Sequence, residues 1–494
     1  MSELSIGIDV GTTSVKLCAL DAGGAVVGIA SSHHGIDPAA GGVQADPDLW
    51  WASVVRAFAD LGADLDLTRV RAVGMSGNMS SVVLVGSDHR PLAPALLLAD
   101  RRGEEELEAL SADVRTRILE ATGNLPQPVF SLSSLLWWRA TAPDLLRRAS
   151  AWLSAKDEVR LRLTGEVATD PTDAYNSLLL TEADWDPALI AAVGLGRSLF
   201  PPVLGSGACA GTVTHPAAAA TGLPVGTPVA TGSGDVPAAL AGMGGLPDGV
   251  LAVSLGTSVT LMAGLGAGCR PPLPAAASGA LTVHPTSEGS WFALGSLLTG
   301  GLALNWLRSL LGADALADVP SSPDPESGLV FLPYLAGTGS PDFVSTATGS
   351  ILGITPTTTG PQLVVALFEA IAFDLAGLVH RLGAGRWSRV VLSGGGGRIS
   401  AWPQVIADVL GLPVDVVDDS DLSAVGAAVH GWRAVGRDVA PALTTTAVTP
   451  RPGTAASWAA RRHRYETARR AAMYLTQRSS LENGRQADDP HRHR

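Results

Sequence analysis

The sequence is short of several things, and each shortage excludes a class of chemistry. Lysine occurs only twice in 494 residues, at Lys16 and Lys156, and neither follows a glycine. A phosphate-binding P-loop, which needs a Gly-Lys pair, is therefore absent, and so is the Gly-x-Gly-x-x-Gly dinucleotide fingerprint. Neither a His-Glu-x-x-His zinc motif nor a Gly-x-Ser-x-Gly nucleophile elbow occurs. The three cysteines, Cys18, Cys209 and Cys269, are odd in number and lack Cys-x-x-Cys spacing, so buried reduced thiols are expected. Charged residues make up 16% of the chain against 46% hydrophobic ones, which indicates a well-buried globular protein. The net charge of −12 argues against nucleic acid and anionic membrane surfaces as partners. The start, Met1-Ser2-Glu3-Leu4, offers neither a basic stretch nor a long apolar run; no signal peptide is read, and a cytoplasmic location is expected. Two uncharged runs, Val250–Cys269 and Gly289–Leu307, are broken by glycines and Ser/Thr turns and read as buried strands or a core helix.

What the sequence does have is a phrase said twice. Ile6-Gly7-Ile8-Asp9-Val10-Gly11-Thr12-Thr13-Ser14-Val15-Lys16-Leu17 alternates apolar residues around a tight hydroxyl-rich turn, the pattern of a β-hairpin. About half a chain later it returns as Val253-Ser254-Leu255-Gly256-Thr257-Ser258-Val259-Thr260-Leu261, with Ser254 where the first copy has Asp9. Two halves, each with a Gly-Thr hairpin, would form a clamp for phosphates.

In order along the chain, Ala25–Ala30 continues the first sheet, and Asp46-Pro47 starts a helix with Asp46 as its cap. Val70–Ser76 is a short strand, and Asp100-Arg101-Arg102-Gly103 opens a charged helix. Lys156-Asp157 precedes a helical run, and Thr169–Asp173 reads as a polar loop. A strand within Pro224–Ala230 leads to Thr231-Gly232-Ser233-Gly234-Asp235 and an Ala-rich helix, and Gly244–Gly249 is the hinge between halves. The second half repeats the plan: strand Ser290–Leu294, helix Leu297–Leu311, and a long amphipathic helix from Pro361. Strand Val390–Leu392 then enters Gly394-Gly395-Gly396-Gly397, followed by a helix, strand Val414–Val417 and helix Leu422–Trp432. Strands alternating with helices imply an α/β fold, and the polar tail from about Leu475 is expected to be disordered.

Glycines without Cβ let backbone N–H groups approach a phosphate, which singles out Gly11, Gly256 and Gly394–Gly397 among 57 glycines. Asp9, at a strand end beside such a turn, suits magnesium held through water, and equally suits a turn carboxylate accepting backbone hydrogen bonds. Asp235, leading into a helix, is either a cap or a base that takes a proton from an attacking hydroxyl. Trp50-Trp51 and Trp137-Trp138 read as core.

Together these stretches resemble the FGGY carbohydrate kinases, most of all their xylulose kinase branch. The resemblance runs to about Trp432 and rests on Ile6–Thr12, Gln44-Ala45-Asp46-Pro47 with Trp50-Trp51, Asp100 with Arg102, and Lys156-Asp157. It continues through Gly234-Asp235, Ser254–Ser258, Phe331-Leu332-Pro333-Tyr334-Leu335 and Ser393–Gly397. It implies two actin-like (ribonuclease H-like) α/β domains with ATP, Mg2+ and a sugar in the cleft between them. Residues 1–243 would bind the sugar, 244–437 the nucleotide, and 438–494 would add a helix and tail. By matching positions, Asp235 would be the catalytic base and Asp9 the magnesium-associated acid. Thr12, Thr13, Gly256 and Thr257 would touch phosphates, Gly395 and Gly396 would lie along the adenosine, and Asn78, Met79, Asp100 and Arg102 would approach the substrate. The expected partner is a small sugar or polyol, D-xylulose or a related ketopentose first, with a homodimer left open. Three departures bear on that substrate: Ser80 replaces the branch's usual His, Val236 its Asn, and Gly337-Thr338-Gly339-Ser340-Pro341 its Gly-Glu-Arg-Thr-Pro. Two rivals remain: a nucleotide-gated interaction protein on the same scaffold, and an inactive sugar sensor.

Overall fold

The computed structural model describes the chain apart from residues 1, 38–41, 182–183, 269, 271, 276, 313–315, 317, 321–327, 384, 419–420 and 488–494; over 477–487 it describes the backbone alone. The apolar alternation of the first phrase becomes strands β1 (Leu4–Val10) and β2 (Ser14–Asp21), antiparallel with Val10 opposite Val15. Strand β3 (Val26–His33) extends the sheet from β2. Helix α1 (Pro47–Asp64) starts where expected, with the Asp46 side chain accepting from the Asp48 N–H at 2.9 Å and Pro47 in its first turn. It buries Trp50, Val54, Ala57, Phe58 and Leu61 in one core with β1 and β2, each large apolar side chain contributing about 1.5–3 kcal/mol. Strand β4 (Val70–Gly77) lies parallel to β1. After a mainly helical insertion come α2 (Ala155–Thr164), α3 (Pro171–Tyr175), β5 (Cys209–Thr212), β6 (Pro228–Ala230), β7 (Ser233–Gly234) and α4 (Asp235–Gly242). The sheet runs β3-β2-β1-β4-β6-β5, with β7 also paired to β4.

The second half builds the same sheet. It contains β8 (Val250–Leu255), β9 (Val259–Ala267), β10 (Thr282–Pro285), β11 (Ser290–Leu297), α5 (Gly301–Leu311) and α6 (Gly360–Arg381). Then follow β12 (Arg389–Ser393), α7 (Ala401–Leu410), β13 (Val414–Val417), α8 (Leu422–Ala434), β14 (Thr445–Val448) and α9 (Ala455–Ala487). The order is β10-β11-β9-β8-β12-β13-β14. Strand β8 is antiparallel to β9 and parallel to β12, as β1 is to β2 and β4. The chain is thus two mixed seven-stranded sheets flanked by helices, the two-domain α/β plan expected from the repeated phrase. Among the described residues α6 alone is long and apolar enough to cross a membrane, and it is mostly buried in the second core.

Each half lends one helix to the other. Leu240 on α4 and Met243 just after it pack with Val250, Ala252, Met262 and Phe292 of the second sheet. Helix α8 lies on the first sheet, its Ala424, Val425 and Ala428 against Cys18 and Leu20. The approach is backbone to backbone. A Cβ on Gly7 would sit 1.9 Å from the Ala424 carbonyl oxygen, and one on Gly74 would sit 1.7 Å from that of Ala427. Gly242 and Gly426 let α4 and α8 cross equally closely. The halves also meet at Asn124, whose side chain exchanges hydrogen bonds of 2.9 and 2.8 Å with the Val283 backbone.

Several expectations need correction. Residues Pro171–Tyr175 are a short helix, not a loop, because Asp170 caps the Thr172 and Asp173 N–H groups and Pro171 suits the first turn. Strand β11 runs on to Leu297, which delays α5 to Gly301. The charged helix after Asp100 is one short piece, Glu104–Glu108. Cys18 is buried but Cys209 is exposed, and Cys269 lies outside the described residues. Helix α9 has a helical backbone to Ala487, past Leu475 where the polar tail begins, and residues 488–494 lie outside the described residues.

Candidate active site

Strand register assembles the first part of the site. Asp9 pairs with Ser76 across β1 and β4, and Ser76 with Ser233 across β4 and β7. Asp235 follows Ser233 by two residues, so both carboxylates stand at the same end of three adjacent strands. Asp9 is buried. One of its oxygens accepts from Ser76 Oγ at 2.9 Å and the other from Ser423 Oγ, on α8, at 2.7 Å. Burial pushes its carboxyl above the ordinary aspartate range, and the two hydroxyls and Lys16 pull it back.

Asp235 opens α4 and is half-buried. Its carboxylate accepts the Val236 N–H at 2.9 Å and is bonded by the Met79 backbone. Burial, then the charges of Asp9 and Asp173, raise its pKa to about 7, against the lowering effect of those two N–H groups. Of the other expected substrate residues, Asn78 donates to the Val10 carbonyl at 3.1 Å, while its Oδ1 is buried without a hydrogen-bond partner. Ser80, at φ 61°, is buried in the same turn. Asp100 and Arg102 bind each other at 2.6 Å, with Arg102 stacked 4.4 Å over Trp137 and bonded to Gln44. Trp50 and Trp138 are core as expected; Trp137, half-buried, carries this guanidinium.

The second part belongs to the other sheet. Thr12 and Thr13 are exposed at the first hairpin tip, and Gly256, Thr257 and Ser258 at the second, which is one residue shorter. Its carbonyls are tied down: Gly301 N–H donates to Gly256 at 2.8 Å, and the Gly300 and Leu302 N–H groups to Thr257 at 3.0 Å. Ser393 ends β12 beside Ser254, so the glycine run folds directly onto this hairpin. Gly394 takes φ 89° and its Cβ position lies 2.7 Å from the Leu255 carbonyl, where no side chain fits. Gly396 is wedged between Leu255 and Trp402, whereas Gly395 has nothing within 4 Å of its Cβ position. No hydrogen bond or ion pair among the described residues joins this second set to Asp9 or Asp235.

Sequence reasoning missed Ser76, Ser423 and a buried ion cluster behind Asp235 formed by Lys156, Asp157, Arg160, Asp170 and Asp173. The Asp170-Pro171 dipeptide repeats the Asp46-Pro47 helix-start signal and could have revealed α3. Ser423 had no local signal.

Comparison with known proteins agrees with this architecture. Residues 4–242 match the N-terminal domain of the FGGY family of carbohydrate kinases, and residues 251–435 its C-terminal domain. The chain is 32% identical over 438 residues to a xylulose kinase of Escherichia coli, covering 86% of this chain and 88% of that protein. It is 28% identical over 454 residues to an L-fuculokinase of the same organism, covering 89% and 94%. The crystal structure of a xyloylose kinase from Brucella ovis superposes with a TM-score of 0.87 at 28% identity, covering 96% of this chain and all of the other. Two matched sheets, two hairpins and two matched domain halves lead to one conclusion: the chain belongs to the FGGY family of carbohydrate kinases.

Proposed function

We propose that this kinase transfers the γ-phosphoryl group of ATP to a primary hydroxyl of a ketopentose, D-xylulose first, or of a related polyol. The observation that carries the reading is the pair of carboxylates at one strand edge: Asp235, with a pKa of about 7, beside Asp9. A group with that pKa is ionised often enough near neutrality to accept a proton and basic enough to take one from an alcohol as it attacks phosphorus. The Val236 and Met79 N–H groups hold the carboxylate in place. Asn78 Oδ1, buried and unpartnered, is an acceptor that a sugar hydroxyl would satisfy.

Residues at the hairpin tips suit the phosphates: Thr12 and Thr13 from one sheet, Gly256 and Thr257 from the other. Gly395 and Gly396 would lie along the adenosine. Among the described residues no cluster of three or more His, Cys, Asp or Glu could hold a metal by itself. Magnesium takes most of its ligands from phosphate and water, and Asp9 would hold it through a water. When bound, it supplies neutralisation of phosphate charge. The hydroxyls of Ser76 and Ser423 keep the Asp9 carboxylate fixed for that purpose.

We take 1–243 as the sugar-binding and 244–437 as the nucleotide-binding domain. Gly244, Gly245 and Gly249 all take positive φ between them, suiting a hinge. Because α4 and α8 are exchanged, closure would also slide or rock this helix pair while excluding water from the transfer. The sugar is the open choice. Ser80 and Val236 stand beside Met79 and Asp235, where the xylulose kinase branch has His and Asn, so a ketose or polyol with a different hydroxyl pattern competes with D-xylulose. An ADP-release screen over ketopentoses, ketohexoses, glycerol and pentitols tests the proposal. One class should stimulate turnover, and Asp235→Ala should abolish it with ATP affinity kept within a few-fold. Undiminished turnover in that variant would remove Asp235 as the base, and ADP release indifferent to every sugar would remove the kinase reading.

A further inference from the structure

Lys156 is one of only two lysines in the chain and is completely buried on α2. Its ammonium lies 2.7 Å from Asp157, 3.0 Å from Asp170 and 3.2 Å from Asp173, and Arg160 lies 3.2 Å from Asp157. Two cations therefore face three carboxylates with no water-exposed face. Burial alone would lower the Lys156 pKa, but the three aspartates more than offset it and hold the ammonium charged. One negative charge is left in excess.

This cluster sits under the turn that presents Asp235. Asp170 accepts from Thr172 Oγ1 at 2.7 Å and from Ser206 Oγ at 3.1 Å, and Thr172 Oγ1 accepts the Gly234 N–H at 2.9 Å. The Ser206 carbonyl accepts the Gly232 N–H at 2.9 Å, and Arg160 reaches the Thr231 carbonyl at 3.4 Å. From the other side, Ser233 Oγ meets His430 Nε2 on α8 at 3.0 Å. The residues from Thr231 to Gly234 are thus tied one by one. Asp173 is the member of the cluster whose charge acts on Asp235. Its Oδ1 is 3.4 Å from the Cβ position of Gly234, which Met79 also approaches, and its Oδ2 is the oxygen paired with Lys156 at 3.2 Å.

We propose that Lys156 and Asp173 are positioning residues for Asp235: Lys156 gathers the carboxylates that support its turn, and Asp173 supplies the negative charge against which Asp235 takes up a proton. The proposal rests on Asp235 being the base. The charged and titratable groups facing Asp235 are Asp9 from β1, Asp173 from α3 and, behind it, Lys156 from α2. His430 on α8 is held neutral by burial, its pKa lowered to about 4. Asp173 in turn is raised to about 7 by burial and by Asp170 and Asp157, against the pull of Lys156.

The test is the pH profile of sugar-dependent kcat, each variant compared with the parent under the same magnesium and ATP. Asp173→Asn removes a neighbouring negative charge and should move the acid limb to lower pH by roughly one unit. Lys156→Met removes the cation that keeps Asp173 ionised, so Asp173 stays protonated to higher pH and the limb should move the same way as in Asp173→Asn. A merely structural cluster would lower the rate at every pH and leave the limb in place, and that result would overturn the proposal. Should Lys156→Met fail to fold, Thr172→Val leaves the ions in place and cuts the hydroxyl link from Asp170 to the Gly234 N–H. It should lower kcat with little change in the KM for ATP, and Thr172→Ser should restore it; equal behaviour of the Val and Ser variants would also overturn the proposal. Full turnover in Asp235→Ala sinks the base reading itself, whereas a dead Asp235→Ala beside an unshifted Asp173→Asn sinks only this inference.

Discussion

Ser423 Oγ donates to Asp9 Oδ2 at 2.7 Å although 414 residues separate them. The contact exists because α8 leaves the second half and presses its backbone onto β1 and β4 at Gly7 and Gly74. The carboxylate that the first half contributes to the proposed phosphate site is thus oriented by a helix from the second. Lys16, opposite Asp9 in the hairpin, completes the join by pairing with Asp421 at 2.6 Å.

Ser423→Ala removes one of the two hydroxyl donors on Asp9. Hydrogen bonds to charged groups contribute about 1.5–3 kcal/mol, so kcat/KM for magnesium–ATP should fall by about tenfold or more. The KM for the sugar should stay near its parent value. Steady-state kinetics at varied magnesium checks this, and a weakened sugar KM with intact magnesium dependence would contradict it.

Glycine substitutions should separate fold from function. Gly74→Ala puts a Cβ 1.7 Å from the Ala427 carbonyl oxygen and 2.6 Å from the Gly431 N–H. It should cost stability at the upper end of the about 1–3 kcal/mol seen for overpacked cores, read as a lower unfolding midpoint. Gly395→Ala meets nothing within 4 Å and should leave the midpoint unchanged while raising the KM for ATP. Equal stability losses in both variants would refute the assignment of an open nucleotide face at Gly395.

Which parts of this site the sequence announces depends on the range of the interaction. The two hairpins and the Asp46 cap are local, set by alternation, turn residues and a proline, and they form where read. The carboxylate Asp235 is visible because the Gly-Ser-Gly-Asp turn joins a strand to a helix. By contrast, Lys156 lies on α2 and Asp173 on α3, which Asp170 caps, and no spacing rule brings them together. Gly7 and Gly74 look like ordinary strand glycines until α8 is laid across them, because their role is to admit a helix distant in sequence.

Asp235 should show its environment in stability as well as rate. Its folded pKa of about 7 exceeds the ordinary aspartate value of 3.8, so between these values the folded state holds the proton more tightly than the unfolded chain. The stability it contributes is present below 3.8 and is lost as pH rises through about 7. Asp235→Asn, uncharged throughout, should therefore unfold like the parent in acid and at a higher temperature than the parent above neutrality. Its kinase activity should be lost at every pH. Thermal unfolding across the pH range decides; a constant difference would mean that Asp235 is not desolvated.

The C-terminal helix offers the last test. Arg461 on α9 forms an ion pair with Glu369 on α6, and both side chains are almost fully buried. Beside them Tyr465 Oη meets Tyr334 Oη at 3.1 Å, and Phe373 packs against Trp458 and Tyr465 with ring centroids 6.2 and 5.5 Å away. Arg461→Met leaves Glu369 buried without its cation, which typically costs about 3–5 kcal/mol. Adding Glu369→Gln removes the stranded charge and should recover much of the loss, so the double variant should be more stable than Arg461→Met alone. Urea unfolding of the parent, both single variants and the double variant measures the coupling. Additive effects would mean that α9 rests on α6 through its aromatic residues and not through this ion pair.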